Sequence, residues 1–597
     1  MQRWWRYALV ALYAGALWAQ QERTAQLQRA AVLESVGDYE GAARLYRELC
    51  QRMLDSACVH GLSRNLVKLG RAAEALPVVE QYVQHSPSPL FTALLGELYW
   101  RTGRRAEALR AWQQGLQSRH PDAYRAVARS QYELQLVEEA LQTLQEGRSR
   151  LGNDTLFADE LSAWAVRVGK LELGVESTLQ WGRTHRDFAA LQARLLLYLA
   201  FPGAVERVRT ILQRWSRQYR SDTLVQYVWV WFLEEQGEDA QALQAVRELD
   251  RRLGAGGMEL LAFAERMYRA ERLETARQAY EELLQMGELA RELRLKALYG
   301  YIQTLQQLPQ PGAMDPALRR RIQRLYQELL AQSERLPITA EALYSFARFL
   351  NDVAGDAVAA QSALERLMRD FRHTPWAMAA MVERAKMALR QGQMEQAESL
   401  LRAVIWQGDS IAPDWALWAR YWLAELEFYR GRLDSAQAHY SVLALRPESP
   451  VANDALQRLQ VFEQARTVSE ELLKRLGRAE FFAFQREYAR AQVEFLAVAE
   501  AAGDHPLAEF ALIRAAESAI AHGKLEEAQQ IVNRYLANYD DVLYGDRALL
   551  LLGQIAEQQQ RFPEALQLYQ QLLLRYPGSI YTRQVQERIQ SLRQRPS

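Results

Sequence analysis

A small residue recurs along this 597-residue chain at nearly constant spacing, a few residues after a turn that contains glycine. One example is the phrase Gly37-Asp38-Tyr39-x-x-Ala42. In the first half of the chain the aligned positions lie 32 to 34 residues apart, and they are Ala42, Ala75, Ala108, Ala140, Gly174, Val208, Ala242 and Ala276. A chain of this length is too long for one hydrophobic core. The constant period indicates a stack of helix-turn-helix units.

The residues around these positions carry a family resemblance. In the last unit Gly553 and Ala556 lie on the first helix, and Ala565 and Tyr569 lie on the second. The third unit fills the same positions with Leu95, Gly96, Tyr99, Ala108 and Trp112. Small residues let two antiparallel helices approach, and a large residue fills the remaining gap. The chain resembles the tetratricopeptide-repeat (TPR) family, which implies an all-α, right-handed superhelical solenoid of about 14 helix-turn-helix repeats.

The second half has a longer period. Its anchor positions are Ala360, Ala397, Ala436, Ala491, Ala528 and Ala565, with steps of 37, 39, 55, 37 and 37 residues. These longer helices resemble the TPR proteins of the bacterial envelope, such as the β-barrel assembly lipoprotein and the periplasmic coordinator of the Tol-Pal system. The lipid-bearing cysteine of the former is absent here. The step of 55 residues predicts an extra helix near residues 451–466.

The pattern predicts five segments. Residues 1–19 form a signal peptide, and residues 20–287 form a regular TPR array. Residues 288–337 form an irregular helical unit that contains the Pro/Gly-rich loop at residues 308–312. Residues 338–583 form the longer-helix array, and residues 584–597 form a polar capping helix and tail.

The first residues predict export. Arg3 and Arg6 precede an apolar stretch at residues 7–18, and Ala19 is a small residue suited to cleavage. About 20 apolar residues are needed to span a bilayer, so this stretch is short for a membrane helix. We expect a cleaved signal peptide, no membrane span in the mature chain, and a periplasmic or extracellular location. An uncleaved membrane anchor is the alternative.

Composition and motifs argue against several classes of function. The 73 basic and 73 acidic residues balance, which gives no electrostatic reason to expect nucleic-acid binding. No phosphate-binding loop, zinc-protease motif or nucleophile elbow is present, and the eight histidines are scattered. We therefore expect no enzyme activity, no cofactor and no metal site. Cys50 and Cys58 match no zinc spacing; they form either a disulfide or two small core residues.

The resemblance also assigns groove positions, at fixed offsets before each anchor on the first helix of a repeat. The candidate partner-binding residues at these offsets are Trp418, Tyr421, Glu425, Phe428 and Tyr429 in one repeat and Tyr227 and Trp231 in another. Aromatic residues often anchor binding sites. The alternative is that they pack between repeats. At the other end the same positions predict a positive groove, lined by His60, Arg64, Lys68, Arg101, Arg125 and Arg129.

The resemblance implies a function in binding proteins or peptides. We expect an exported scaffold or adaptor of the bacterial cell envelope. One alternative is a subunit of a polysaccharide or protein secretion machine. A third is a solenoid that binds glycans through its aromatic residues.

Overall fold

The computed structural model describes residues 20–308, 314–333, 335–466, 469–538 and 543–593. These residues contain helices and no strand. The chain divides into two compact units, Met1–Phe263 and Ala264–Ser597. The predicted signal peptide, most of the predicted loop at residues 308–312 and the last four residues lie outside the described ranges.

The described part of the first unit is a run of helices joined by short turns. They are α1 (residues 20–35), α2 (Tyr39–Arg52), α3 (Ser56–Lys68), α4 (Ala72–His85), α5 (Pro89–Arg101), α6 (Arg105–Leu116), α7 (Pro121–Glu133), α8 (Val137–Leu151), α9 (Ala158–Arg167), α10 (Leu171–His185), α11 (Phe188–Leu199), α12 (Ala204–Gln218), α13 (Thr223–Glu235) and α14 (Asp239–Leu253).

The next helix, α15 (Met258–Arg269), contains the boundary between the units. The described part of the second unit continues with α16 (Leu273–Gln285), α17 (Arg291–Gln307), α18 (Pro316–Gln332), α19 (Pro337–Phe349) with a π-helical turn at Leu350–Ala354, α20 (Ala357–Asp370), α21 (Pro375–Arg390), α22 (Met394–Ile411), α23 (Pro413–Tyr429), α24 (Leu433–Ala444), α25 (Ala452–Arg466), α26 (Glu470–Phe484), α27 (Tyr488–Ala502), α28 (Pro506–Ala521), α29 (Leu525–Asn538), α30 (Gly545–Gln558), α31 (Phe562–Arg575) and α32 (Thr582–Arg593).

The helices follow one another in pairs, as the repeat predicts. Fifteen pairs lie in the described residues, with α25 and α32 outside the pairing. Within each unit, short connections fold most of these helices back against the preceding one. Every alanine in the series from Ala42 to Ala276 is fully buried on the second helix of its pair. The prediction of an all-α array of helix-turn-helix repeats is confirmed, and the count is close to the predicted 14.

The turn within each pair explains the recurring glycine. Gly70 and Gly103 have φ angles of +75° and +81°, in the left-handed region that side chains disfavour. Each glycine follows the last turn of a first helix and reverses the chain into the second helix. The glycine therefore fixes where the first helix of these pairs ends.

A second kind of glycine allows close helix contact. A Cβ built on Gly96, in α5, would overlap the indole ring of Trp112 on α6. That ring is buried, and its N–H donates to the Ser130 hydroxyl at 3.1 Å. By contrast, a Cβ on Gly115, also in α6, would lie 3.5 Å from the nearest atom, a methyl group of Val127. The two glycines have the same intrinsic helix propensity and different surroundings.

We expect Gly96→Ala to lower the free energy of unfolding by about 1–3 kcal/mol, because overpacking outweighs the better helix propensity of alanine. Gly115→Ala, the matched control, should leave stability unchanged or raise it by up to about 1 kcal/mol. Hydrogen exchange of the α5 and α6 amides measures both changes. Equal stability of the two variants would show that the indole ring can move aside.

Two helices of the second unit lie outside the helix pairs. The extra helix expected near residues 451–466 is α25. The helix expected near the end of the chain is α32, whose Val585, Ile589 and Leu592 are buried against the last repeat. In the described residues, no helix combines the length and apolar character that a membrane span requires.

Candidate functional site

The aromatic residues of α23 divide into two groups. Phe428 is 0% exposed and packs on Phe462 of α25, with ring centroids 4.9 Å apart. Tyr429 is 7% exposed and packs on Phe481 of α26 at 5.2 Å. For Phe428 the structure has the alternative, packing between helices, because α25 covers the ring. Tyr429 is mostly covered by α26 and lines the cavity described below. Trp418 and Tyr421 remain partly exposed.

Glu425 was predicted to face the groove, and it is 2% exposed. Tyr440 and Tyr429 donate their hydroxyl groups to its carboxylate at 2.6 and 3.0 Å. The Nε and one terminal nitrogen of Arg458 donate to the two carboxylate oxygens at 2.8 and 2.9 Å. The carboxylate is thus held by a forked arginine contact and two phenols, the geometry of a strong ion pair.

Further ion pairs extend from Arg458 into the next three repeats. A second terminal nitrogen of Arg458 lies 3.5 Å from Glu480 on α26. Arg514 on α28 donates to both oxygens of Glu480 at 3.0 and 2.7 Å and to Glu517 at 2.6 Å. Arg547 on α30 donates to Glu517 at 2.8 Å. Alternating charges therefore join the first helices of four consecutive repeats, α23, α26, α28 and α30, through Arg458 of α25.

Burial and neighbouring charges shift the pKa values of these ion-paired groups in opposite directions. Burial raises the pKa of Glu480, but Arg514 and Arg458 outweigh burial and lower the pKa to about 2. Burial likewise acts to lower the pKa of Arg458, and Glu425 and Glu480 raise it well above its usual value. Both partners are therefore charged at neutral pH.

The lowered pKa predicts acid sensitivity. The stability that Glu480 contributes is fully present above its unfolded pKa of about 4.3 and is lost as pH falls from there toward 2. We expect the melting temperature of the wild-type protein to fall more steeply between pH 5 and about pH 3 than that of the Glu480→Gln variant. Thermal melts across this range measure the two slopes. Parallel slopes would mean that Glu480 has no lowered pKa.

A cavity of about 470 Å³ opens beside these charges. Its polar wall contains Glu425, Arg458, Glu480, Arg514 and Glu517 together with Asp454 of α25. Its aromatic wall is formed by Tyr421, Trp422, Tyr429, Phe484 and Tyr488. The volume lies within the range of about 300–1,000 Å³ that is typical of ligand sites. This cavity is the candidate site of the second unit.

Most residues that line this cavity were not predicted from the sequence, although the repeat pattern contains a signal for its acidic residues. Glu425 lies 11 residues before the anchor Ala436, in a groove position of its repeat. The same offset from Ala491 and Ala528 gives Glu480 and Glu517. Three consecutive acids in one groove position indicate a shared charged wall. Arg458 lies outside the repeat, so periodicity could not assign its position.

In the first unit acidic side chains offset part of the charge of the predicted positive groove. Arg64 and Lys68 both pair with Glu34 of α1, at 2.5 and 3.4 Å. Burial lowers the pKa of His60, which disfavours its charged form. Together with Glu34, Arg64 and Lys68 therefore leave a net charge of one positive unit at this place.

The other predicted cations of the first unit also form ion pairs with acidic side chains. Arg125 and Arg129 share Glu160 at 2.8 and 3.3 Å, and Arg101 pairs with Glu97 at 2.8 Å. These acids reduce the expected excess of positive charge without cancelling it, because Arg64 and Lys68 share the single carboxylate of Glu34. Partner binding remains a prediction here, at a cavity of about 600 Å³ to which His60, Arg125 and Arg129 contribute.

Tyr227 and Trp231 lie on one side of α13. The Tyr227 hydroxyl donates to Glu259 at 2.6 Å, and its ring meets Phe188 edge-on at 6.4 Å. The Trp231 N–H donates to Glu235 at 3.2 Å. Both side chains are partly exposed, and partner binding by them stays a prediction.

Cys50 and Cys58 form a disulfide in the structure. Cys50 lies in the last turn of α2 and Cys58 in the first turn of α3, with Cα atoms 5.4 Å apart. A loop this short stabilises the fold by about 2–3 kcal/mol in the chain-entropy account. We expect no free thiol in unreduced protein and two after reduction. Labelling under denaturing conditions, counted by mass, measures this, and two free thiols in native protein would contradict the bond.

Comparison with known families agrees with the helix pairs. The tetratricopeptide-repeat family model matches residues 60–121, 93–152, 353–413 and 513–580. Tetratricopeptide repeats are thus detected in these segments. Repeats of this kind typically form scaffolds without catalytic activity and are suited to contacts between proteins. No curated protein matches the sequence.

Several solved structures are similar over long stretches at low identity. One is described as the structure of Naa15/Naa10 bound to HypK-THB, with 14% identity, 95% of this chain and 90% of that chain covered, and a TM-score of 0.31. Yeast Tom70 has 11% identity, 96% of each chain covered and a TM-score of 0.26. A tetratricopeptide repeat protein from Parabacteroides merdae has 13% identity over 53% of this chain and 99% of that chain, with a TM-score of 0.23.

Proposed function

We propose that this protein is an exported scaffold of the bacterial cell envelope, which holds partner proteins in the groove of its tetratricopeptide repeats. The observation that carries the proposal is the cavity in the second unit. It combines partly exposed aromatic rings with fixed charges, the composition that binding hot spots favour. The charges are held by neighbouring repeats, so the wall is ordered before a partner arrives.

Two further features support export to the envelope. Arg3, Arg6 and the apolar stretch at residues 7–18 have the order of a secretory signal. The Cys50–Cys58 disulfide suits an oxidising compartment such as the periplasm. The longer repeats of the second half resemble those of envelope proteins, which adds to the same proposal.

The location is tested on native protein from fractionated cells. We expect the protein outside the cytoplasm, with an N-terminus near Gln20. An intact Met1 on protein from the soluble cytoplasmic fraction would contradict export. An intact Met1 on membrane-bound protein would support the anchored alternative instead of the cleaved form.

Binding is tested by capture from envelope extracts with the purified mature chain. Tyr488→Ala removes a partly exposed wall of the cavity, and Trp406→Ala removes a ring that is 88% exposed and lies outside it. We expect Tyr488→Ala to reduce capture at least fivefold and Trp406→Ala to leave it unchanged. The reverse result would place the interaction outside the cavity, and no captured protein would contradict the scaffold.

The identity of the captured proteins separates the alternatives. Several envelope proteins would support a scaffold, and a single pore component would support a secretion-machine subunit. Retention on a glycan matrix without protein partners would support the glycan-binding alternative and contradict the scaffold.

A further inference from the structure

The charges around the C-terminal cavity do not cancel. Arg458, Arg514 and Arg547 match Glu425, Glu480 and Glu517 through the contacts described above. Asp454, in the first turn of α25, is a fourth acid of the cavity wall. Among the residues that the structure describes, its carboxylate has no ion pair or hydrogen bond. One negative charge is therefore left uncompensated, and it faces the cavity.

The position of Asp454 favours a cation. It is partly buried, and burial is the main reason that its pKa lies above the usual value, with Arg458 lowering it and Glu425 raising it. A positive group entering the cavity would gain from this unpaired carboxylate. A negative group would meet Asp454 close to Glu425.

The aromatic wall of the cavity also favours a positively charged group. The faces of tyrosine, tryptophan and phenylalanine rings attract cations. The protein already uses two of these rings in this way: Lys386 lies 5.4 Å from the centre of the Trp422 ring, and Arg390 lies 5.3 Å from that of Phe484. Lys386 is itself paired with Glu383 at 2.9 Å. The ring of Tyr488 lines the cavity and is partly exposed.

We propose that this cavity binds an arginine side chain of the partner protein, with Asp454 as its carboxylate and the aromatic wall, including Tyr488, against the guanidinium plane. Arginine fits better than lysine because its planar group can stack on a ring and donate two parallel hydrogen bonds to one carboxylate. Arg458 makes such a forked contact with Glu425 in the same wall. This inference rests on the proposed function and specifies the chemistry of the partner.

The test uses three fluorescein-labelled peptides, Ser-Gly-Leu-Xaa-Leu-Gly-Ser with Xaa as arginine, citrulline or glutamate. Citrulline has nearly the shape of arginine without its charge. The affinities are measured by fluorescence polarisation with the mature chain. We expect the arginine peptide to bind at least fivefold more tightly than the citrulline peptide does. The glutamate peptide should bind most weakly. Equal affinity of the arginine and citrulline peptides, or tighter binding of the glutamate peptide, would overturn the inference.

Asp454→Asn tests the carboxylate with little change in shape. We expect it to weaken binding of the arginine peptide at least fivefold. The control is Glu526→Gln, which removes an exposed acid from the first turn of α29, outside the cavity wall. It should change affinity less than twofold. An equal loss in both variants would indicate a general effect of net charge and would overturn the inference.

Capture from envelope extracts separates this inference from the function on which it rests. If wild type and Asp454→Asn capture the same proteins equally, the scaffold stands and the arginine site is overturned. If wild type captures none, the scaffold is contradicted, while the peptide titration still decides on the cavity. Loss of captured proteins in Asp454→Asn, with retention in Glu526→Gln, supports both.

Discussion

Replacing Arg458 with methionine is expected to lower the stability of the second unit by about 3–5 kcal/mol, the usual cost of removing one partner from a buried ion pair. The substitution leaves Glu425 and Glu480 without this guanidinium, and they are 2% and 4% exposed. Glu425 keeps only its two tyrosine donors, and Glu480 keeps Arg514. Methionine has a similar length and no charge, so loss of packing adds little.

Hydrogen exchange of the α23, α25 and α26 amides is a suitable measurement, because a repeat array can open locally without unfolding throughout. The expected loss of stability in Arg458→Met should make these amides exchange roughly 100-fold faster or more. Arg466→Met is the control on the same helix. Arg466 pairs with Asp434 at 3.0 Å, but the Asp434 side chain is fully exposed, so the cost should stay below about 1 kcal/mol.

The double variant Arg458→Met, Glu425→Gln identifies the cause. If the cost comes from an unpaired buried carboxylate, removing the Glu425 charge should recover part of the lost stability. Equal stability of Arg458→Met and Arg466→Met would contradict the structural role given to the buried ion pairs.

Phe428→Ala is expected to cost about 3–5 kcal/mol, as truncation of a buried aromatic residue does. The ring is fully buried between α23 and α25, against Phe462. Gly477 of α26 also lies against it, since a Cβ built there would come within 3.1 Å of a Phe428 ring carbon. Three helices therefore depend on one side chain, and truncation should lower the melting temperature and speed exchange in all three.

Trp406→Ala is the aromatic control in the same unit. Its ring is 88% exposed on α22, and surface truncations usually change stability by less than about 0.5 kcal/mol. If Phe428→Ala also kept the wild-type melting temperature and instead lost partner capture, the ring would be a binding residue and its buried position would be contradicted.

The helix pairs could be predicted from the sequence because their signal is local. Ala75 and Ala108 are fully buried, Gly70 and Gly103 have the left-handed backbone that ends a helix, and each feature recurs at the period of one repeat. Packing between neighbouring helices selects a small residue at the same offset each time. The extra helix α25 was also predicted, since only an insertion could lengthen one step to 55 residues.

Which side chains stay accessible depends on contacts that do not recur from one repeat to the next. The predicted aromatic groove positions of α23 differ in their surroundings: α25 packs over Phe428, whereas Tyr421 and Tyr429 line the cavity. Likewise the sequence did not show that Arg64 and Lys68 share an acid, Glu34 on the preceding repeat, which offsets one of their two charges. Repetition of short-range packing determines the helices and their order. Which side of a helix stays open, and which charge stays unpaired, is decided by side chains far apart in the chain that only the tertiary structure brings together.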